Sequence, residues 1–366
     1  MHRNCTVKHH ESEVRCMRAI TVEPKKSGSA KWEEVPEPDV RQGSILVETI
    51  AVGVCGTDVE IIEGKYGWPP PGKTRLILGH ESLGRVLETE PTGQLKKGDL
   101  VVGIVRRPDP VPCPNCAVGE WDMCRNGQYT ERGIKQIDGF MSERWRIESE
   151  YAMKVDSSLG LLGVLLEPTT VVTKAWEQVD AIGRRAFWNP RTVLVTGAGP
   201  IGLLAALLGM QRGLDVHVLD RVDSGLKPDL VRALGASYHA GTVASVGFRP
   251  DIIIECTGAG PVISDSIQGV ANGGVICLTG IGGGDRSTGT PTAGDIAAEV
   301  VLRNNVVVGS VNANKRHWYK AGESLARADR SWLDRLITRR ERPENFASAL
   351  QRKDDDIKVV IQFTEA

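Results

Sequence analysis

From Met17 to about Glu150 the chain alternates short apolar runs, such as MRAITVEP, SILVETIAVGV and DLVVGIV, with Gly/Pro clusters such as GWPPPGKTR. Short runs broken by turn residues predict an irregular, largely antiparallel β domain. Near Leu165 the texture changes. The stretch PTTVVTKAWEQVDAI reads as a helix with Pro168 in its first turn, where a missing N–H is harmless. It is followed by the apolar strand TVLVTG, a Gly-rich turn, the helix IGLLAALLGMQRG and the strand DVHVLD. Strand, helix and strand in this order form a βαβ unit, and strands without polar alternation belong to a parallel sheet covered on both faces. Further strands are expected at DIIIECTG, GGVICLTG and NVVVGSV, so a doubly wound α/β domain is predicted over 168–309. The segment 310–366 either extends that sheet or returns to the first domain. No internal repeat and no low-complexity segment is visible.

A length of 366 residues agrees with two cores, 17–167 and 168–309. With 25% charged residues and a net charge of −1, no long-range field favours nucleic acid or an anionic membrane surface, which leaves a small molecule as the expected partner. No apolar run approaches the roughly 20 residues that span a bilayer, and the N-terminus lacks the apolar core of a signal peptide, so a cytoplasmic protein is expected. The eight cysteines are thinly spread, with three close together, a distribution that favours metal binding over disulfides. Residues 1–16 read as a polar tail, in which His2, Cys5, His9, His10 and Cys16 offer adventitious metal donors at most.

The turn after TVLVT is Gly197-Ala198-Gly199-Pro200-Ile201-Gly202, a G-x-G-x-x-G pattern between a strand and a helix. Gly197 permits the tight turn, Gly199 lets the backbone approach a pyrophosphate, and Gly202 lets helix and strand pack closely. Free N–H groups at the helix start face the phosphate charge. The alternative, that the glycines merely make a tight turn, is disfavoured because an acid stands where a dinucleotide needs one. Asp220 ends DVHVLD, placed to accept hydrogen bonds from a ribose 2′-OH and to repel a 2′-phosphate. NAD is therefore favoured, with NADP possible because Arg221 can reach a 2′-phosphate. Thr257 and Thr279, after the strands DIIIEC and GGVICL, are further candidates for cofactor contact.

Three more segments carry metal-binding side chains: Gly53-Val54-Cys55-Gly56-Thr57-Asp58, Gly79-His80-Glu81-Ser82-Leu83-Gly84 and Glu167-Pro168. Thiolate, imidazole and carboxylate together suit Zn²⁺. Singly, Cys55 could be a buried small hydrophobe and His80 a core histidine. Joined in this order to a dinucleotide fold, they resemble the zinc-dependent medium-chain alcohol dehydrogenases from about Met17 to the C-terminus. The resemblance implies a GroES-like catalytic domain, 17–167 with a return at 310–366, fused to a Rossmann domain. It implies that Cys55 and His80 are direct zinc ligands and that Glu81 and Glu167 are acidic ligands bound directly, through water or in exchange. In such a site the metal acidifies the substrate hydroxyl from which hydride leaves toward the nicotinamide, and Thr57 resembles the hydroxyl that passes the proton on. The pattern Cys113-x₂-Cys116-x₇-Cys124 resembles the structural zinc lobe of the same superfamily, C-x₂-C-x₂-C-x₇-C. Pro110 stands in place of the first cysteine, so either nearby Asp109 completes a second zinc site or the lobe is held by packing alone.

The segments Arg125–Ile134, Leu166-Glu167-Pro168 and Gly309–Asn314 resemble the glucose dehydrogenase branch. In that branch Glu131 and Asn312 match positions that hydrogen-bond sugar hydroxyls, with Thr57 and Glu167 also facing the substrate and Asn312 also near the cofactor. The implied reaction is oxidation of the C1 hydroxyl of an aldose, D-glucose foremost, to the 1,5-lactone with reduction of NAD(P). The alternatives are another polyol, sugar or secondary-alcohol dehydrogenase, or an idle dinucleotide-binding protein. A homo-oligomer, dimer or tetramer, is expected by analogy with relatives.

Overall fold

The Ile45–Gly53 strand carries the first domain, because Ile45, Val47, Ile50, Ala51 and Val52 are all inaccessible and only a central strand buries both faces. The computed structural model describes residues 15–281 and 293–365. Around that strand a sheet runs in the order Ala152–Lys154, Leu100–Gly103, Glu81–Glu88, Ile45–Gly53, Lys358–Gln362 and Ile337–Glu341, with Arg144–Ile147 also pairing on Ile45–Gly53. Its pairings are antiparallel except the last, between Ile337–Glu341 and Lys358–Gln362. A smaller sheet joins Lys31–Pro36, Cys16–Val22 and Leu76–Ile77. Cys16 belongs to this sheet, paired with Pro36, so the expected tail is too long at its C-terminal end. His2, Cys5, His9 and His10 lie outside the described residues.

The second unit is a six-stranded parallel sheet in the order Ser237–Ala240, Asp215–Asp220, Thr192–Thr196, Ile252–Glu255, Val275–Leu278 and Val306–Gly309. Leu194, Leu219, Ile253 and Ile276 pack with Val243, Val246, Ile267 and Val270 into one core. The order reverses at Thr192–Thr196, flanked by Asp215–Asp220 and Ile252–Glu255, and crevices at such a switch point take ligands beyond the strand C-termini. Ser237–Ala240 was not foreseen. It is a half-exposed edge strand, SYHA, with no apolar run to announce it.

The chain divides into a unit ending at Glu167 and resuming at Ile337, and a second unit from Pro168 to Leu336. The return thus begins at Ile337 and not at 310. The intervening helices Lys315–Arg327 and Arg330–Asp334 stay with the second unit because their apolar faces are used there: Trp318, Ala321, Leu325, Trp332 and Leu333 are buried, and Trp332 Nε1 donates to Leu230 O at 2.9 Å. Among the described residues no helix is long and apolar enough to cross a membrane.

Candidate functional site

Cys55 leaves the end of the Ile45–Gly53 strand and opens the Gly56–Ile62 helix, whose third residue, Asp58, accepts the Cys55 N–H at 2.9 Å through Oδ2. Gly79, at φ 93° and with Met141 Cγ 2.5 Å from where a Cβ would stand, turns the chain so that His80 and Glu81 enter the adjacent strand. Gly53 and Glu81 are directly opposite across that pairing. These local geometries bring Sγ of Cys55, a ring nitrogen of His80 and a carboxylate oxygen of Glu81 within 4.8 Å of one another. With zinc–ligand distances of about 2.0–2.3 Å, donors this close can share one ion, and the mixture of S, N and O fits Zn²⁺.

Asp58, fully buried, stands behind His80 with Oδ1 3.4 Å from Nδ1. That is ion-pair distance without an aligned hydrogen bond, so both buried atoms lack a well-formed partner. Burial opposes the charged imidazole, but the Asp58 carboxylate and the Cys55 sulfur outweigh it and hold the His80 pKa well above its ordinary value. Nδ1 facing Asp58 fixes the ring orientation, as a ligand histidine needs. Thr57 Oγ1 lies 4.0 Å from Cys55 Sγ. Glu167 is not one of the three mutually close donors; burial, opposed by His80 and Lys358 and reinforced by Glu81, pushes its carboxyl up to about 7. The sequence offered no sign of Lys358, a buried ammonium that donates to both Glu81 oxygens, at 2.8 and 2.6 Å.

In the second unit the Gly-rich turn has the required form. Gly197 sits at φ 90°, and a Cβ on Gly202 would lie 1.8 Å from Gly197 O, so only glycine permits this helix to approach its strand. A Cβ on Gly199 would meet nothing within 4 Å, which leaves open space over the loop, and Pro200 and Ile201 begin the Pro200–Gln211 helix. This open, N–H-lined turn fits a pyrophosphate. Asp220 Oδ2 accepts Ala198 N–H at 2.7 Å and faces Lys227 Nζ at 3.3 Å, while Oδ1 accepts Arg221 N–H at 2.7 Å. Burial opposes its charge, but the Ala198 N–H and Lys227 hold its pKa below the ordinary value. Glu255, fully buried at the end of its strand, accepts the N–H groups of Thr257 at 2.7 Å and Gly258 at 3.1 Å, and Thr279 Oγ1 donates to Glu255 O at 2.8 Å. Lys227 and Glu255 therefore organise the loops around Asp220, Thr257 and Thr279, and neither belongs to a spacing motif.

The three cysteines of the lobe, Cys113, Cys116 and Cys124, have their sulfurs within 4.8 Å of one another. Backbone N–H groups of Arg125 and Cys116 lower the Cys113 thiol to about 6, whereas burial and the neighbouring sulfurs push Cys116 up to about 11. Asp109 does not join them. Its carboxylate accepts Val111 N–H at 2.8 Å and Asn126 Nδ2 at 2.8 Å, the ordinary use of an Asp at a turn. Glu131 is buried in the short strand Thr130–Arg132, where Arg106 places Nε and Nη2 each 3.0 Å from Oε1. Asn312 belongs to the second unit, at φ 62°, with Oδ1 accepting Ala313 N–H at 2.7 Å. Lys174, buried in the Leu166–Gly183 helix, anchors this loop through Val311 O at 2.9 Å.

Residues 160–363 match the family described as Glucose dehydrogenase C-terminus, and residues 41–157 match the Alcohol dehydrogenase GroES-like domain. The chain is 38% identical to glucose 1-dehydrogenase 2 of Vulcanisaeta moutnovskia, over 96% of this chain and 100% of that one. It is 39% identical to the glucose 1-dehydrogenase of Thermoproteus tenax, over 94% and 99% respectively. Among solved structures, a glucose dehydrogenase of Haloferax mediterranei in complex with NADP, Zn and gluconolactone superposes with a TM-score of 0.87 at 32% identity, covering 96% of this chain and all of that one.

Proposed function

Since the chain belongs to the glucose dehydrogenase branch of the zinc-type medium-chain alcohol dehydrogenases and is an oxidoreductase, we propose that it oxidises the C1 hydroxyl of an aldose, D-glucose foremost, to the 1,5-lactone while reducing NAD(P). The observation that carries this reading is the convergence of Cys55, His80 and Glu81 donors within 4.8 Å. Cys55 and His80 hold a zinc ion, with Glu81 and Glu167 as the acids beside it. When bound, that ion supplies the Lewis acidity that makes a sugar hydroxyl easier to deprotonate. Thr57, beside Cys55, takes the hydroxyl proton onward, and the C1 hydride with its electron pair goes to the nicotinamide ring. Glu131 and Asn312 orient the sugar by hydrogen bonds, so a substrate lacking the matching hydroxyls leaves polar groups unpaired and reacts poorly. The gluconolactone held by the Haloferax relative supports this choice of substrate.

The dinucleotide rests on Gly197, Gly199, Pro200, Ile201 and Gly202, with Thr257 and Thr279 at neighbouring strand ends. Asp220 favours NAD by its charge, and Lys227 and Arg221 admit NADP by offsetting it. Cys113, Cys116 and Cys124 hold a second zinc, with Asp109 engaged elsewhere. The chain assembles with itself through the Val306–Gly309 strand, an edge of the described sheet whose valines are half-buried. A panel of aldoses, polyols and short alcohols, followed at the nicotinamide absorbance band, tests the function. Glucose or another aldose should lead the panel with both cofactors active and NAD ahead. Turnover confined to short alcohols, or no turnover after zinc is restored to chelated protein, would remove this reading.

A further inference from the structure

Lys174 is a charged residue in an apolar place. It stands in the middle of the Leu166–Gly183 helix, 1% exposed, among buried Val172, Ala175 and Trp176. Taking an ammonium out of water is costly, and a neutral side chain of the same length would fill the space without that cost, so a charge kept here points to a polar partner that needs it. Val311 O, 137 positions on, accepts from Lys174 Nζ at 2.9 Å. Val311 is 54% exposed, so packing does little to hold the chain there.

The Val311 carbonyl and the Asn312 N–H belong to one planar trans peptide group, so the ammonium that fixes the carbonyl fixes the direction in which Asn312 leaves it. Asn312 then takes the left-handed φ of 62°, a conformation that Asn tolerates better than most side chains, and folds Oδ1 back onto Ala313 N–H at 2.7 Å. Beyond it Asn314 N–H donates to His317 Nδ1 at 3.0 Å, and His317 Nε2 meets Glu177 Oε1 at 3.1 Å. Glu177 follows Lys174 by three positions, on the same face of the Leu166–Gly183 helix. One helix face therefore grips the loop that carries Asn312 on both sides of that residue.

We propose that Lys174 is a positioning residue which, by holding the Val311–Asn312 peptide, sets the direction of the Asn312 side chain toward the sugar. This rests on the role of Asn312 in the proposed function. In this role Lys174 acts through Asn312 and not on the substrate itself.

The test is a double-mutant cycle on the full zinc-loaded enzyme, with steady-state kinetics on the aldose that it turns over best and near-UV circular dichroism as the check on folding. K174M should lower kcat/KM by about 10- to 100-fold, the scale on which misplacing an orienting group by about an ångström acts, with most of the loss in KM. In the N312A background the same substitution should cost less than about threefold, because the side chain that Lys174 aims is no longer there. K174Q is one atom shorter and still polar; it carries the same pair of expectations and decides the matter if K174M fails to fold. A loss that is equally large with and without the Asn312 side chain overturns the proposal, since Lys174 would then act on something else. So does a folded K174M with wild-type kinetics or with a loss confined to kcat. Wild-type kinetics in N312A would instead remove Asn312 as a sugar contact, and with it the reading on which the proposal stands.

Discussion

His80 shows how a side chain is made useful by what lies behind it. Its ring is oriented by Asp58, a residue visible in the chain as the last letter of Val54-Cys55-Gly56-Thr57-Asp58 and yet assigned no role by spacing alone. Asp58→Asn should keep the fold and lower zinc affinity by about 10- to 100-fold, measured by chelator competition. An affinity equal to wild type would show that the 3.4 Å contact orients nothing. Asp220 has two duties under the proposed function, since the carboxylate that would repel a 2′-phosphate also ties down Ala198 N–H. Asp220→Ser should therefore raise the ratio of NADP to NAD catalytic efficiency by about tenfold or more, worth roughly 1.4 kcal/mol, while weakening NAD through the loosened loop. A ratio that stays put would transfer cofactor choice to Lys227 and Arg221.

Among the elements, the Pro200–Gln211 helix depends on one missing methyl group. Gly202→Ala would drive a Cβ into Gly197 O, and the expected loss is about 1–3 kcal/mol of stability together with weaker dinucleotide binding, readable by thermal melting with and without cofactor. The Leu166–Gly183 helix is linked to the Lys315–Arg327 helix by Glu177, which meets Arg316 Nη2 at 2.7 Å, His317 Nε2 at 3.1 Å and Lys320 Nζ at 2.7 Å. Burial opposes the Glu177 charge, but the Arg316 and Lys320 cations and the His317 ring prevail and lower its pKa from 4.5 to about 2. A carboxylate with a depressed folded-state pKa stabilises the protein fully above the unfolded value and loses that contribution as pH falls through the folded one. The stability difference between wild type and Glu177→Gln should therefore be constant above about pH 5 and shrink between 4.5 and about 2. A difference independent of pH across that window would mean that the cations do not act through the charge. The parallel strands and the Gly-rich turn were legible because burial on both faces writes continuous apolar runs. Ser237–Ala240 was not, since an edge strand that is half-exposed has no such constraint.

The whole chain returns to where it began. Lys358–Gln362 enters the first sheet beside Ile45–Gly53, and deletion of residues 337–366 should strip that strand of a neighbour and Glu81 of its counter-charge. Such a truncation is expected to aggregate and to bind no zinc reversibly, checked by light scattering and metal titration; a well-folded, metal-binding product would argue that the return is dispensable. What the amino-acid order decided by itself was whatever depends on neighbours in sequence. Apolar runs specify the parallel sheet, Gly197, Gly199 and Gly202 specify a tight turn with open space for a phosphate, and Cys55, His80 and Cys113-x₂-Cys116-x₇-Cys124 point to metal through their resemblance to a family. Tertiary structure alone decided which charges meet. Lys358 lies 277 positions from Glu81, and Asp109 has its carboxylate claimed by Val111 and Asn126. Pairings between distant or competing polar groups depend on strand register and burial, and no local pattern in a single chain encodes those.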